Sequence, residues 1–203
     1  MKSYYEKAMT YAEYISLTGN LADEGKSTGE QTEDRVYFTK LNRQRMKRLN
    51  KTVVISDELK NKVRNLKSKL IWLILTESWC GDAAQNLPVI EKIAAESEMI
   101  ETRYLLRDEN PELMDQFLTN GGRAIPILIC VDAETFTPTG HWGSRPKAIQ
   151  EYFLELKASG MEKGEMMELV QRRYNLDKEK SIQDDFTRLI ERCLERTKSA
   201  GAK

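Results

Sequence analysis

The sequence predicts an α/β fold, in which helices pack on a central sheet. Leu70–Leu75 is an unbroken apolar run without a helical stripe, a pattern typical of a strand buried on both faces. A second apolar run, Ile125–Val131, occurs downstream, and capped amphipathic segments surround both runs. With 203 residues the chain is long enough to bury a core without disulfides.

The first fifty residues are predicted to form a helical extension. Apolar residues at three- and four-residue steps predict one helix over residues 1–20, ended by Gly19 and Asn20. A polar stretch, residues 23–33, predicts a loop or mobile linker before a second helix over residues 33–49. The second helix carries a basic patch, which we interpret as a solvated face rather than a nucleic-acid contact, because no aromatic residues alternate with the charges.

The central segment, residues 51–159, is predicted to carry the sheet. Its first strand is the β-branched run Thr52–Ile55, and Ser56 caps the helix that follows. After the Leu70–Leu75 strand, the predicted elements are a helix over 82–97 containing Pro88, a strand over 100–106, a helix over 112–118, a strand over 125–131, a returning strand at His141 and Trp142, and a helix over 147–159.

Residues 160–203 are predicted to form a C-terminal helical extension. Glu162–Tyr174 and Ser181–Thr197 are amphipathic, and the second of these helices has Cys193 on its apolar face. Such helices need a surface to cover. Either they pack with the N-terminal helices beside the central domain, or they form a dimer interface, so both a monomer and a homodimer remain open.

Cys80 is the candidate nucleophile. It lies between the Leu70–Leu75 strand and the following helix, where unpaired N–H groups and the helix dipole lower a thiol pKa. Asp82 is in the first turn of that helix, and its negative charge opposes formation of the thiolate. We therefore expect a reactive Cys80 with a modest depression of its pKa.

Two separated motifs resemble the thioredoxin superfamily. Trp79, Cys80 and Gly81 are similar to the aromatic residue, the nucleophile and the first spacer of its active-site motif, and Pro88 matches the proline of the active-site helix. The stretch Arg-Ala-Ile-Pro that ends at Pro126 resembles the segment with the cis-proline. The resemblance runs from about Val53 to Leu156, and it implies a thioredoxin-like fold with a central mixed sheet.

The resemblance also implies a groove for extended peptide substrates. Ile125 matches the residue before the cis-proline, whose backbone pairs with bound peptide, and Gly143 resembles the small residue that lets a peptide approach. The implied substrate-binding residues, around the catalytic Cys80, are Trp79, Gly81, Asp82, Ile125, Pro126 and Gly143.

Two departures from the family pattern affect the implied chemistry. The family motif Trp-Cys-Gly-Pro-Cys is replaced by Trp-Cys-Gly-Asp-Ala, so Ala83 stands in place of the resolving cysteine. A mixed disulfide on Cys80 could therefore not be released by a neighbouring thiol. Ile74 stands where many thioredoxins have a buried acid that serves the second cysteine.

These observations leave two main functional hypotheses. In the first, Cys80 is a monothiol oxidoreductase nucleophile that exchanges with a protein disulfide or a low-molecular-weight thiol and is resolved by an external thiol. In the second, the chain is a non-catalytic binding module that uses the groove around Trp79 and Pro126. A third hypothesis is an iron–sulfur scaffold like the monothiol glutaredoxins. It is disfavoured because Asp82 and Ala83 replace the Phe-Ser of those proteins and no basic residue lies just upstream of Cys80.

Composition restricts the partners and the location. The formal net charge is zero, which gives no overall attraction to nucleic acid or an anionic membrane. No apolar run approaches the length of a spanning helix and no signal-peptide pattern is visible, so we predict a cytoplasmic protein. Three widely spaced cysteines are expected as thiols, and His141 is the single histidine. Glu77 and Asp82 are interpreted as surface acids, and neither a metal nor a cofactor is expected.

Overall fold

The computed structural model describes the backbone of residues 1–200 and the side chains of residues 1–192. A mixed four-stranded sheet in the order β2-β1-β3-β4 forms the centre, with β1 parallel to β2 and antiparallel to β3. The strands are β1 (Leu70–Thr76), β2 (Ile100–Leu106), β3 (Ile127–Asp132) and β4 (Pro138–Gly143). This confirms the predicted α/β class with a mixed sheet.

Helices surround the sheet and extend beyond it at both ends of the chain. They follow the predicted order in the central and C-terminal segments. Within the described backbone they are α1 (Lys2–Lys7), α2 (Tyr11–Glu24), α3 (Glu33–Thr52), α4 (Asp57–Arg64), α5 (Gly81–Ala94), α6 (Pro111–Met114), α7 (Lys147–Ala158), α8 (Lys163–Asp177) and α9 (Lys180–Ala200).

The apolar run that predicted a strand is the most buried element of the sheet. All seven residues of β1 are buried, because β2 and β3 pair with its edges and helices cover its faces. On one face, the ring of Phe186 from α9 lies 5.2 Å from Trp72 and 5.4 Å from Trp142 between centroids. The C-terminal extension therefore packs directly on the sheet.

The prediction of one helix over residues 1–20 is wrong. Thr10 forms a capping box with Glu13 and starts α2 as a new helix, which continues past Gly19 and ends at Gly25. Between the two helices, Met9 pairs in antiparallel fashion with Tyr104 of β2, with backbone N–O distances of 2.9 and 2.7 Å. A local cap and a backbone pairing with a distant strand therefore divide the continuous apolar stripe.

The predicted first strand at Thr52–Ile55 is also absent from the described sheet. Helix α3 continues through Thr52, and residues 53–56 form an extended linker. The side chain of Gln183 accepts from the Ser56 N–H at 2.8 Å and donates to the Val54 carbonyl at 3.2 Å. The β-branched run thus correctly indicated that the side chains of Val53 and Ile55 are buried. The hydrogen bonds of this backbone, however, go to a glutamine from α9 rather than to a neighbouring strand.

Residues from both terminal extensions enter the same hydrophobic core as the sheet. This core includes Tyr14 and Leu49 from the N-terminal side and Ile182 and Phe186 from the C-terminal side. The ring of Tyr14 stacks on that of Tyr104, with centroids 5.4 Å apart. From the sequence, the C-terminal helices are expected to pack with the N-terminal helices or to form a dimer interface, whereas α9 packs on the central sheet through Phe186. A dimer interface stays a prediction. The division at residues 50 and 159 stays a prediction.

Candidate functional site

Cys80 lies at the N-cap position of α5, where the sequence places it. Its Sγ is 3.4 Å from the backbone nitrogen of Ala83, and the thiol donates to the Ile125 carbonyl oxygen at 3.2 Å. The Ile125–Pro126 peptide bond is cis, as the resemblance implied. The structure therefore places the thiol directly against the backbone that leads into Pro126.

Gly143 contacts the cis-proline segment from the neighbouring strand. Its φ is +142°, and a Cβ at this position would lie 2.3 Å from the Pro126 carbonyl oxygen and 3.1 Å from the Ile127 Cα. An L side chain is excluded by both the conformation and the space. In this structure the group that approaches Gly143 is the chain's own backbone.

The predicted depression of the Cys80 pKa is wrong for this conformation. Only 7% of Cys80 is exposed. Burial raises the pKa of its thiol to about 12, and the negative charge of Asp82 contributes in the same direction. The N–H groups of Ala83 and Asp82 and the charge of Arg145 lower this pKa, but their combined effect is smaller. The thiol is therefore protonated near neutral pH in this conformation.

Asp82 is a buried carboxylate rather than the expected surface acid. Arg145 forms an ion pair with it at 2.8 Å, and the Tyr174 hydroxyl donates to its Oδ1 at 3.0 Å. The Asn86 side chain donates in turn to the Tyr174 hydroxyl at 3.0 Å. Burial raises the pKa of Asp82, while Arg145 and Tyr174 oppose that rise. Asp82 thus joins α5, the segment after β4, and α8.

The indole ring of Trp79 is covered on its faces by two arginines. The guanidinium carbon of Arg35 lies 4.6 Å from the ring centroid and that of Arg107 lies 5.0 Å from it. Arg107 also donates to the carbonyl of Arg123, in the loop that leads to Ile125, at 3.2 Å. The surface predicted to receive substrate at Trp79 is therefore occupied by the protein's own side chains.

The residue before Trp79 belongs to a buried hydroxyl cluster, defined here as Ser27, Thr28, Thr39 and Ser78. The oxygens of Ser78 and Thr39 are 2.8 Å apart, and the Ser78 N–H donates to Thr28 Oγ1 at 3.0 Å. Asn42 of α3 also donates to the Ser78 carbonyl at 3.0 Å. The segment before α3, predicted as a loop or mobile linker, is thus fixed against the start of Trp79–Ala83, which is called the active-site motif after the family motif that it resembles.

The expectation that Glu77 is a surface acid is wrong, whereas His141, the single histidine, lies on the surface. Glu77 is buried, and its Oε1 accepts from the Asp108 N–H at 2.8 Å; burial raises its pKa. His141 is exposed on β4, where its ring lies 5.5 Å from that of Phe117. Among the residues that the structure describes, no group of three or more His, Cys, Asp or Glu side chains could hold a metal ion.

Helix α8 contacts the active-site motif from the C-terminal side. Gln171 accepts from the Gln85 side chain at 3.0 Å, and its Nε2 is 3.1 Å from where a Cβ on Gly81 would be. Arg45 of α3 lies 3.5 Å from that same position. The sequence contains no spacing or periodicity that connects Gln171, Tyr174 or Arg145 with Cys80, so these contacts were missed.

The mixed sheet, the cis-proline and the cysteine at a helix N-terminus define a thioredoxin-like α/β protein. A family model described as Thioredoxin matches residues 29–182, which is more than half of the chain. The chain therefore belongs to the thioredoxin superfamily. The curated proteins contain no match to this sequence.

Two solved structures share the fold. A protein of unknown function from Pseudomonas aeruginosa has a TM-score of 0.64 and 16% identity, covering 93% of this chain and 95% of its own. An HIV epitope-scaffold has a TM-score of 0.62 and 15% identity, covering 94% and 97%. At these identities the similarity concerns the fold alone. None of the helices within the described part of the chain is long and apolar enough to cross a membrane.

Proposed function

We propose that this chain is a single-cysteine thiol–disulfide exchange protein with Cys80 as its nucleophile. The Cys80 thiolate attacks one sulfur of a partner disulfide R–S–S–R′, and the S–S bond breaks. The leaving group R′–S⁻ takes the electron pair and then a proton, while Cys80 is left in a mixed disulfide with R. An external thiol, as its thiolate, attacks that disulfide, forms a new disulfide with R and releases Cys80.

The observation that supports this proposal is the position of Sγ, 3.2 Å from the Ile125 carbonyl beside a cis-proline. In the family that this chain resembles, the backbone before the cis-proline pairs with an extended substrate peptide. A disulfide held by that pairing would present its sulfur to Cys80. Because Ala83 has no thiol, release depends on a protein thiol or a low-molecular-weight thiol from a reducing compartment such as the cytoplasm.

A second candidate function is a non-catalytic binding module that uses the same groove. The burial of Cys80 and its raised pKa favour this alternative, because a protonated, enclosed thiol is a poor nucleophile. In that case Cys80 serves packing at the start of α5, and the partner is held by the surface around Trp79 and Pro126.

The test uses the full chain carrying Cys130→Ala and Cys193→Ala, so that Cys80 alone reports. The folded protein is incubated with glutathione disulfide and its intact mass is measured, with Cys80→Ser as the control. We expect one glutathionyl group per chain, removed by added reduced glutathione, and none on the control. Modification only after unfolding in guanidinium chloride would contradict exchange and support the binding module.

A further inference from the structure

We propose that α8 is a lid over the active-site motif, closed in this structure, and that its opening makes Cys80 accessible. The active-site motif is Trp79–Ala83, and the lid is Lys163–Asp177. The proposal rests on the proposed function only in naming thiol exchange as the reaction that opening permits. The opening itself is a separate, measurable event.

The lid meets α5 through polar contacts near the motif. Gln171 bonds to Gln85, and the Tyr174 hydroxyl bonds to both Asp82 and Asn86, each at 3.0 Å. Water can replace such hydrogen bonds when the surfaces separate, so their net contribution to closure is modest. These contacts therefore suit a reversible closure.

Apolar packing holds the lid to α7 rather than to the main core. Val170 and Tyr174 form a separate cluster with Ile149, with Phe153 and Leu156 packed against it. In contrast, α9 places four of the residues whose side chains the structure describes in the main core. These residues of α9 are Ile182, Phe186, Leu189 and Ile190. Displacement of the lid would leave the packing of the sheet intact.

The chain changes direction sharply on both sides of the lid. Gly160 precedes it with φ of +77°, and Lys178 and Glu179 follow it with φ of +49° and +60°. A left-handed conformation is unfavourable for the last two residues, so a change of their backbone angles on opening would relieve local strain. Near the same end, 75% of Leu176 is exposed. The lid thus has a candidate hinge at each end and a loosely covered C-terminal turn.

Opening would also change the chemistry of the thiol. Loss of water is the largest cause of the raised Cys80 pKa. Access of water to the motif would therefore lower that pKa and increase the fraction of thiolate. Asp82 would keep its ion pair with Arg145 when Tyr174 moves away, so opening would not leave its carboxylate unpaired.

The experiment measures the rate at which iodoacetamide alkylates Cys80 in the Cys130→Ala, Cys193→Ala chain at fixed pH. Tyr174→Phe keeps the ring but removes the hydroxyl that bonds to Asp82. We expect an increase of about tenfold, the effect of one hydrogen bond to a charged group. Tyr5→Phe is the matched control, because its hydroxyl bonds to Glu101 at 3.0 Å, away from the motif. The control should leave the rate unchanged.

A second variant and a second readout keep the test decisive. Gln171→Ala removes the bond to Gln85 without touching Asp82, and it should also raise the alkylation rate. In both variants, amide hydrogen exchange should become faster in residues 163–177 and stay unchanged in residues 182–190. Unchanged alkylation rates, or faster exchange in both helices together, would overturn the lid.

This design separates the lid from the proposed function. Iodoacetamide needs only an accessible thiolate, whereas glutathione disulfide tests exchange. Faster alkylation of the variants without a glutathione adduct supports the lid and contradicts the exchange function. A glutathione adduct with equal alkylation rates in all variants supports exchange and overturns the lid.

Discussion

The active-site motif is covered from two sides, and the two covers are built differently. On the N-terminal side, the hydroxyl cluster holds the loop before α3 against Ser78, and α3 places Met46 and Leu49 in the main core. On the C-terminal side, the lid packs through a separate small cluster and polar contacts. We infer that the N-terminal cover, formed by α3 and the loop before it, stays fixed, and that the C-terminal cover, α8, is the side that opens.

The largest predicted effect is the pH dependence of Cys80 alkylation. It tests whether the two covers together exclude water from the thiol. Because burial raises its pKa to about 12, the neutral thiol is the stable form well above the ordinary value of 9.0. The thiolate fraction, and with it the rate, should rise about tenfold per pH unit from about pH 7 to about pH 10.

The same measurement on chain unfolded in urea is the control, and its rate should level off near the ordinary thiol pKa. A folded-state rate that levels off there as well would show that the covers do not exclude water from Cys80.

The next effect compares the two covers directly through a matched pair of buried methionines. Met46 of α3 belongs to the main core, whereas Met166 of α8 is buried outside both hydrophobic clusters. Met46→Ala should lower the free energy of unfolding by about 4 kcal/mol, and Met166→Ala by about 2 kcal/mol, since Met166 lies outside both hydrophobic clusters. Urea denaturation measures both. Equal losses of unfolding free energy in the two variants would contradict the distinction between a fixed N-terminal cover and a lid.

The smallest effect concerns the hydroxyl cluster itself. Ser78→Ala removes a hydroxyl 2.8 Å from that of Thr39 and takes away the acceptor of the buried Thr28 N–H. The free energy of unfolding should fall by about 2 kcal/mol. Ser144→Ala is the control, because its buried hydroxyl has no hydrogen-bond partner among the described residues, and its removal should not destabilise the protein. A neutral Ser78→Ala would mean that the hydroxyl cluster does not fix the N-terminal cover.

The sequence predicted the parts of the site that depend on neighbouring residues. The position of Cys80 between a strand and a helix follows from a local apolar run and its flanking residues. The cis peptide before Pro126 was implied by a local motif. These features require no knowledge of where the rest of the chain lies, so pattern and resemblance are sufficient.

The burial of the site depended on contacts that the sequence does not encode locally. Thr28 reaches Ser78 across 50 positions, and Tyr174 reaches Asp82 across 92. These two contacts join the loop before α3 and helix α8 to the residues on either side of Cys80. The prediction of a strand at Thr52–Ile55 was wrong for a related reason. β-branched residues indicate burial whether or not a strand is present to pair with them.

The pairing of Met9 with Tyr104 has a consequence for association between molecules. Strand β2 is at the edge of the sheet, and the unpaired N–H and C=O groups of an edge strand can recruit a strand from another chain. Both backbone groups of Tyr104 are instead bonded to Met9. The short segment between α1 and α2 thus protects the middle of this edge and opposes the growth of the sheet into a neighbouring copy.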